Sequence, residues 1–234
     1  MALTKVDKTV IEATGTASAT TFLRGDGAWA SAAAGFDSYQ VKTSSTAWTK
    51  PTGITKIVVE VLGGGGSGGG ASAVGRGGGG GSGGYVLSDV IDVSGVSTST
   101  SLTIGAAGAT PTANSTGNAG GATSTVIAGV TLTAGGGGAG IAAGTRGGGA
   151  GGTASGGKIN VVGEAGTTYT HPSANGGSTP YGYGGKAANQ GAAATGPPAT
   201  GYGAGGGGAQ GDEAGAGSSG GAAVPGLIVI WEYK

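Results

Sequence analysis

Blocks of consecutive glycine constrain this chain more than any other feature. The heaviest are 63–70 (GGGGSGGG), 77–84 (GGGGGSGG), 135–140 (GGGGAG), 147–157 (GGGAGGTASGG), 203–208 (GAGGGG) and 215–221 (GAGSSGG). Such tracts are commonly read as flexible linker. Here they alternate with short β-branched runs, which argues for order. An extended chain with three residues per turn has no internal hydrogen bonds, so every N–H and C=O points outward. Only glycine, without a Cβ, lets neighbouring rods approach closely enough to pair those groups. The expectation is a core of backbone hydrogen bonds rather than of side chains.

Composition sharpens the problem. Glycine makes up 61 of 234 residues, against about 7% in average usage. Leu, Ile, Val and Phe together number only 36. Ordering one backbone residue costs about 1–2 kcal/mol, with glycine at the costly end. Dense hydrogen bonding and chain association must therefore support any ordered state. Net charge is zero and 9% of residues are charged, so self-repulsion does not hold the chain open. The same balance argues against non-specific nucleic-acid binding. Cysteine is absent, which excludes disulfides and thiolate metal sites. The start, MALTKVDKTV, lacks the apolar region of a signal peptide. The longest apolar run, 227–231, is far short of the roughly 20 residues of a membrane span.

The expected fold class is all-β. Short strands frame extended, polyglycine-II-like rods, preceded by an extended N-terminal arm. Residues 1–35, Thr/Ala-rich with few consecutive glycines, are expected to form that arm, and 36–234 the glycine-rich distal domain. A strand is expected at 6–12, and a strand or strand pair at 36–48. Ile57, Val59 and Val61 fall on one face of a strand; Val58, Glu60 and Leu62 fall on the other. The unbroken apolar run at 227–231 suggests a strand covered on both faces. Pairing it with the opening strand would staple the ends of the domain together. Further runs lie at 85–93, 102–104, 126–133 with a turn at Ala128–Gly129, and 158–162.

Two segments carry a family resemblance. Phe22, Leu23, Arg24, Gly25, Asp26, Gly27 and Trp29 spell F-L-R-G-D-G-x-W after a Thr/Ser-rich stretch. That resembles segments recurring in tail fibres of tailed bacteriophages, with apolar anchors flanking a Gly-Asp-Gly turn. Arg24-Gly25-Asp26 also spells a cell-adhesion tripeptide, but the turn accounts for it. The second segment, from Trp48 to the first glycine block, is similar to the opening of the glycine-rich domain at the ends of such fibres. The close at Pro225-Gly226 and the strand through Glu232 and Tyr233 matches that domain's end. The resemblance spans 48–233. It implies a virion tail protein that is a homotrimer, docked by its arm to a baseplate or fibre-shaft protein. Its expected function is non-catalytic adhesion to bacterial surface glycan through loops at the far end of the rods.

No residue pattern supplies a catalytic or metal site, and no cofactor is expected. Gly152–Lys158 has the spacing of a phosphate loop, but Ile159 stands where the Mg²⁺-binding hydroxyl belongs. His171 is the only histidine. The carboxylates Asp89, Asp92, Glu164, Asp212 and Glu213 form no evident pair for sugar cleavage. The receptor-binding candidates are Tyr169, His171, Tyr181, Tyr183 and Tyr202, in the long loop 163–202. Tyrosine offers a flat apolar ring and a hydroxyl, suited to sugar. The competing reading is that these rings pack sideways over the rods and shield backbone. Two other roles also remain open: a structural spacer or tip cap, and an ice-ordering face.

Overall fold

The computed structural model describes residues 21–23, 28–31, 35–73, 75–96, 99–144, 147–168, 174–188, 193–212 and 216–234. The architecture is all-β, with no helix among the described residues. The expected strand at 6–12 lies outside them. The strands are β1 (Thr21–Leu23), β2 (Trp29–Ser31), β3 (Phe36–Lys42), β4 (Ala47–Thr49), β5 (Lys56–Leu62), β6 (Tyr85–Leu87), β7 (Ile91–Asp92) and β8 (Ser99–Thr103). They continue with β9 (Thr123–Ile127), β10 (Val130–Ala134), β11 (Ala154–Ser155), β12 (Ile159–Val161), β13 (Gly182–Tyr183), β14 (Thr200–Gly201) and β15 (Leu227–Tyr233).

Two antiparallel sheets form the frame. One runs β12-β6-β5-β15-β3, with β7 also on β5; the other runs β11-β10-β9-β8-β4. The period-2 pattern of β5 places Ile57, Val59 and Val61 inward. They are fully buried against Ile228 and Ile230 of β15 and Leu102, Ile127 and Leu132 of the facing sheet. As expected, the opening and closing strands pair, from Leu62↔Leu227 to Lys56↔Tyr233. Ala128 and Gly129 take φ of 51° and 79°, the left-handed turn that a tight hairpin between β9 and β10 requires. Within the first 35 residues, β1 and β2 pair only with each other, with Leu23 opposite Trp29. Arg24–Gly27 lie outside the described residues.

The frame strands pass directly into extended rods. In chain order these are R1 (63–71), R2 (77–84), R3 (105–108), R4 (115–121), R5 (135–143), R6 (147–153), R7 (163–167), R8 (174–177), R9 (184–188), R10 (194–199), R11 (203–211) and R12 (218–226). Odd rods run away from the frame and even rods run back. In R1 the donors rotate with a period of three. Gly63, Gly66 and Gly69 donate to Gly84, Gly81 and Gly78 of R2. Gly64, Ser67 and Gly70 donate to Gly121, Asn118 and Ser115 of R4. Gly65, Gly68 and Ala71 donate to Val224, Gly221 and Ser218 of R12. That rotation is the signature of three residues per turn.

Carbonyls of R1 accept from R3, R5 and R11, so six rods bond to it. R2 likewise bonds R1, R5, R6, R7, R8 and R11, and R11 bonds R1, R2, R8, R9, R10 and R12. Three mutually bonded inner rods are thus enclosed by the other nine, as in hexagonal packing. The nine follow one another around the ring in chain order, R3 through R10 and then R12. R12 closes the circuit through Gly226 N–H to Gly105 O.

The steric condition is explicit. A Cβ on Gly66 would fall well under 3.0 Å from the carbonyl of Gly138, and one on Gly80 would meet that of Gly66 equally closely. Serine interrupts the two inner blocks only where its hydroxyl replaces a lattice partner. Ser67 Oγ donates to Ala109 O and accepts Asn118 N–H, both at 2.8 Å, and Ser82 Oγ accepts Glu164 N–H at 2.8 Å.

Gly66→Ala is expected to destabilise the fold by more than about 4 kcal/mol, because backbone rather than a yielding side chain must move. Gly95, with open space at its Cβ position, should tolerate alanine within about 1 kcal/mol. Thermal unfolding of the two variants checks this; equal stability would contradict the lattice.

Candidate functional site

The outer face of the six-stranded sheet carries Leu62, Leu227 and Val229, packed with Tyr85, Tyr181, Tyr202 and Trp231. At its centre sits Glu60, a carboxylate on an apolar strand and almost fully buried. A buried charge is tolerable only when paired or fully hydrogen-bonded. Here Tyr85 Oη donates to Oε2 at 2.8 Å, Tyr181 Oη donates to the same oxygen, and Trp231 Nε1 donates to Oε1 at 2.7 Å. Glu232 is its counterpart on the inner face. Trp48 Nε1 and Gln40 Nε2 donate to Oε1 at 2.8 and 2.7 Å, and Ser38 Oγ donates to Oε2 at 2.6 Å. Each carboxylate is thus held by one indole and two further donors. Sequence reasoning passed over both; the available signal was a glutamate inside each of two apolar strands.

Burial first, and then the hydrogen bond to Glu60, push the Tyr85 and Tyr181 phenols well above the ordinary range. The clasp therefore fixes the turn between R8 and R9 onto the frame.

This corrects the expected position of the tyrosines. Tyr181 and Tyr202 lie beside the strand frame and pack on Leu62 and Leu227. They stand against side chains of the sheet rather than in a loop at the far end of the rods. Residues 163–202 are not one loop: R7, R8, R9 and R10 run within them, and the 178–183 turn returns to the frame. Tyr183 stands apart, 79% exposed on β13. Tyr169 and His171 lie outside the described residues. Phe22, Leu23 and Trp29 belong to the β1–β2 hairpin.

Tyr183 borders an open groove of about 830 Å³ on the flank formed by R7, R8 and R9. Glu164, Asn175, Lys186, Pro198 and Thr200 also line it. At the end remote from the frame, the rod ends 71/77, 143/147, 188/194 and 211/218 come together, whereas R3 stops short, with Gly108 N–H bound to Gly65 O. Asn114, between R3 and R4, takes a left-handed φ of 56°. Among the described residues no group of His, Asp or Glu side chains is arranged to hold a metal ion. Gly152–Lys158 straddles a rod end and β11, with Gly152 N–H bound to Ser82 O, so it does not form a phosphate cradle.

A family model described as a glycine-rich domain matches residues 40–230. The chain belongs to the glycine-rich domain family. The match runs from within β3 to within β15 and takes in all twelve rods. A search of curated proteins gave no match.

Replacing Glu60 by Gln in this glycine-rich domain puts an amide where only acceptors fit. The expected cost is about 2–3 kcal/mol in urea unfolding. The two phenols make a separate prediction. Their folded pKa values lie above the unfolded one, so the folded state holds these protons more tightly. Their contribution is complete below pH about 10 and is lost as pH rises beyond it. The double variant Tyr85→Phe, Tyr181→Phe should show a shallower alkaline loss of stability than the parent; an identical slope would contradict the clasp.

Proposed function

We propose that this protein is the host-contacting part of a tailed-bacteriophage tail fibre, a non-catalytic adhesin for bacterial surface glycan. One observation carries the reading: the lattice brings most of its rod ends together at the end remote from the frame, where Ala71 meets Ser218, Ala143 meets Gly70, and Ala194 meets Gln210. The frame and rods are built for stiffness, whereas the connections at that end also carry residues with side chains. Their described parts carry polar residues such as Ser72, Thr110, Thr112, Asn114 and Asp212. A rigid support with loops at one end suits recognition, because loops then lose little order on binding.

Gly35, where the expected arm meets the domain, lies beside Lys234 at the end of the frame opposite the rods. The F-L-R-G-D-G-x-W resemblance supports docking of that arm to a baseplate or fibre-shaft protein. Trimerisation would multiply weak contacts into useful avidity.

The test is binding of the purified protein to bacterial cells and phage adsorption, before and after replacing 110–114 with glycine and serine. The reading expects the parent to bind and the variant to lose most binding at unchanged melting temperature. A folded parent that binds no host cell, in particles that still assemble, would overturn it in favour of a structural spacer or tip cap.

A further inference from the structure

The groove beside Tyr183 runs along the flank, from β13 and β14 toward the rod ends at Thr167 and Asn175. Its walls come from separate elements. Glu164 and Thr167 stand on R7, Asn175 on R8, Lys186 on R9, and Pro197 and Pro198 on R10; β13 and β14 contribute Tyr183 and Thr200. Tyr183 pairs with Thr200 across the two short strands. This places an exposed ring and a hydroxyl side by side in register.

The polar groups are held rigidly yet are only partly used. Glu164 Oε2 accepts Ser178 N–H at 2.7 Å, and Asn175 Oδ1 accepts Ala187 N–H at 2.8 Å. These bonds fix both side chains against the backbone. The other Glu164 oxygen, the Asn175 amide NH₂, the Lys186 ammonium and the Thr200 hydroxyl make no hydrogen bond among the described residues. The groove thus offers donors and an acceptor around one free aromatic face. One cation and one carboxylate balance its charge.

We infer that this groove is a saccharide-binding site for a neutral oligosaccharide segment, with the Tyr183 ring as its stacking platform. Sugar rings present an apolar face edged by hydroxyls, and an exposed tyrosine ring complements such a face at small entropic cost. Asn175 and Lys186 donate to sugar oxygens, Glu164 accepts from a hydroxyl, and Thr200 does either. The groove is open rather than enclosed, so a segment within a longer chain can lie in it. Its volume is within the usual range for ligand sites. The inference shares with the adhesive reading the premise that the molecule meets cell-surface glycan, but it places a contact on the flank.

The experiment compares the full-length protein with Tyr183→Ala and Lys186→Ala on immobilised bacterial lipopolysaccharides and capsular polysaccharides, neutral and acidic. The expected result is binding to at least one neutral glycan, weakened at least about tenfold by Tyr183→Ala. Melting temperature should not change, since Tyr183 is exposed. Weaker loss is expected for Lys186→Ala. Three results would overturn the inference: no glycan bound, acidic glycans alone bound, or a bound glycan indifferent to Tyr183→Ala. The adhesive reading is judged separately on the same proteins. If the parent binds cells, the 110–114 variant does not, and Tyr183→Ala binds as the parent does, the far end survives and the groove fails.

Discussion

A peptide N–H from one rod meeting a carbonyl of the next, at a distance no Cβ permits, is the interaction on which the rest of this structure depends. An inner rod such as R1 has only the Ala71 methyl to bury, so its stability must come from satisfied backbone groups and close contact. Each buried peptide group left unpaired would cost about as much as a lost hydrogen bond. The period of three turns every successive donor toward a different neighbour. One rod therefore links six others, and the lattice is a connected network rather than a stack of pairs.

The frame supplies what glycine lacks. Ile57, Val59, Val61, Ile228 and Ile230 make a conventional side-chain core. The strands that carry it continue into R1 and from R12, as β6 continues from R2 and β10 into R5. Register set in the sheets, where a one-residue slip would turn apolar faces outward, thereby passes into rods that have no side chains to set their own. Ser67 and Ser82 add fixed points inside the lattice. The Glu60 clasp secures the 178–183 turn, tying R8 and R9 back to the same sheet.

Much of this was legible in the residues. The alternation in β5, the doubly covered run of β15, the Ala128–Gly129 turn and the steric need for glycine all follow from period, propensity and size. The ring order of the rods did not follow, because no side chain names a rod's neighbour; the frame connections choose it. The tyrosines were misplaced for a related reason. Gly176–Gly177 and Gly184–Gly185 are too short to stand out as blocks, so R8 and R9 read as part of one long loop. Only the fold reveals that Tyr181 returns to Glu60 while Tyr183 faces solvent. The two buried glutamates were visible as charges in apolar strands, but their donors come from residues as distant in sequence as Trp48 and Trp231.

The most direct measurement is amide hydrogen exchange resolved by residue in the folded protein. Backbone pairing across rods predicts that amides of 63–70, 77–84 and 205–210 exchange as slowly as those of β5 and β15, with the ring rods faster. Exchange at these inner glycines as rapid as in an unstructured peptide, while β5 and β15 stay protected, would contradict the account.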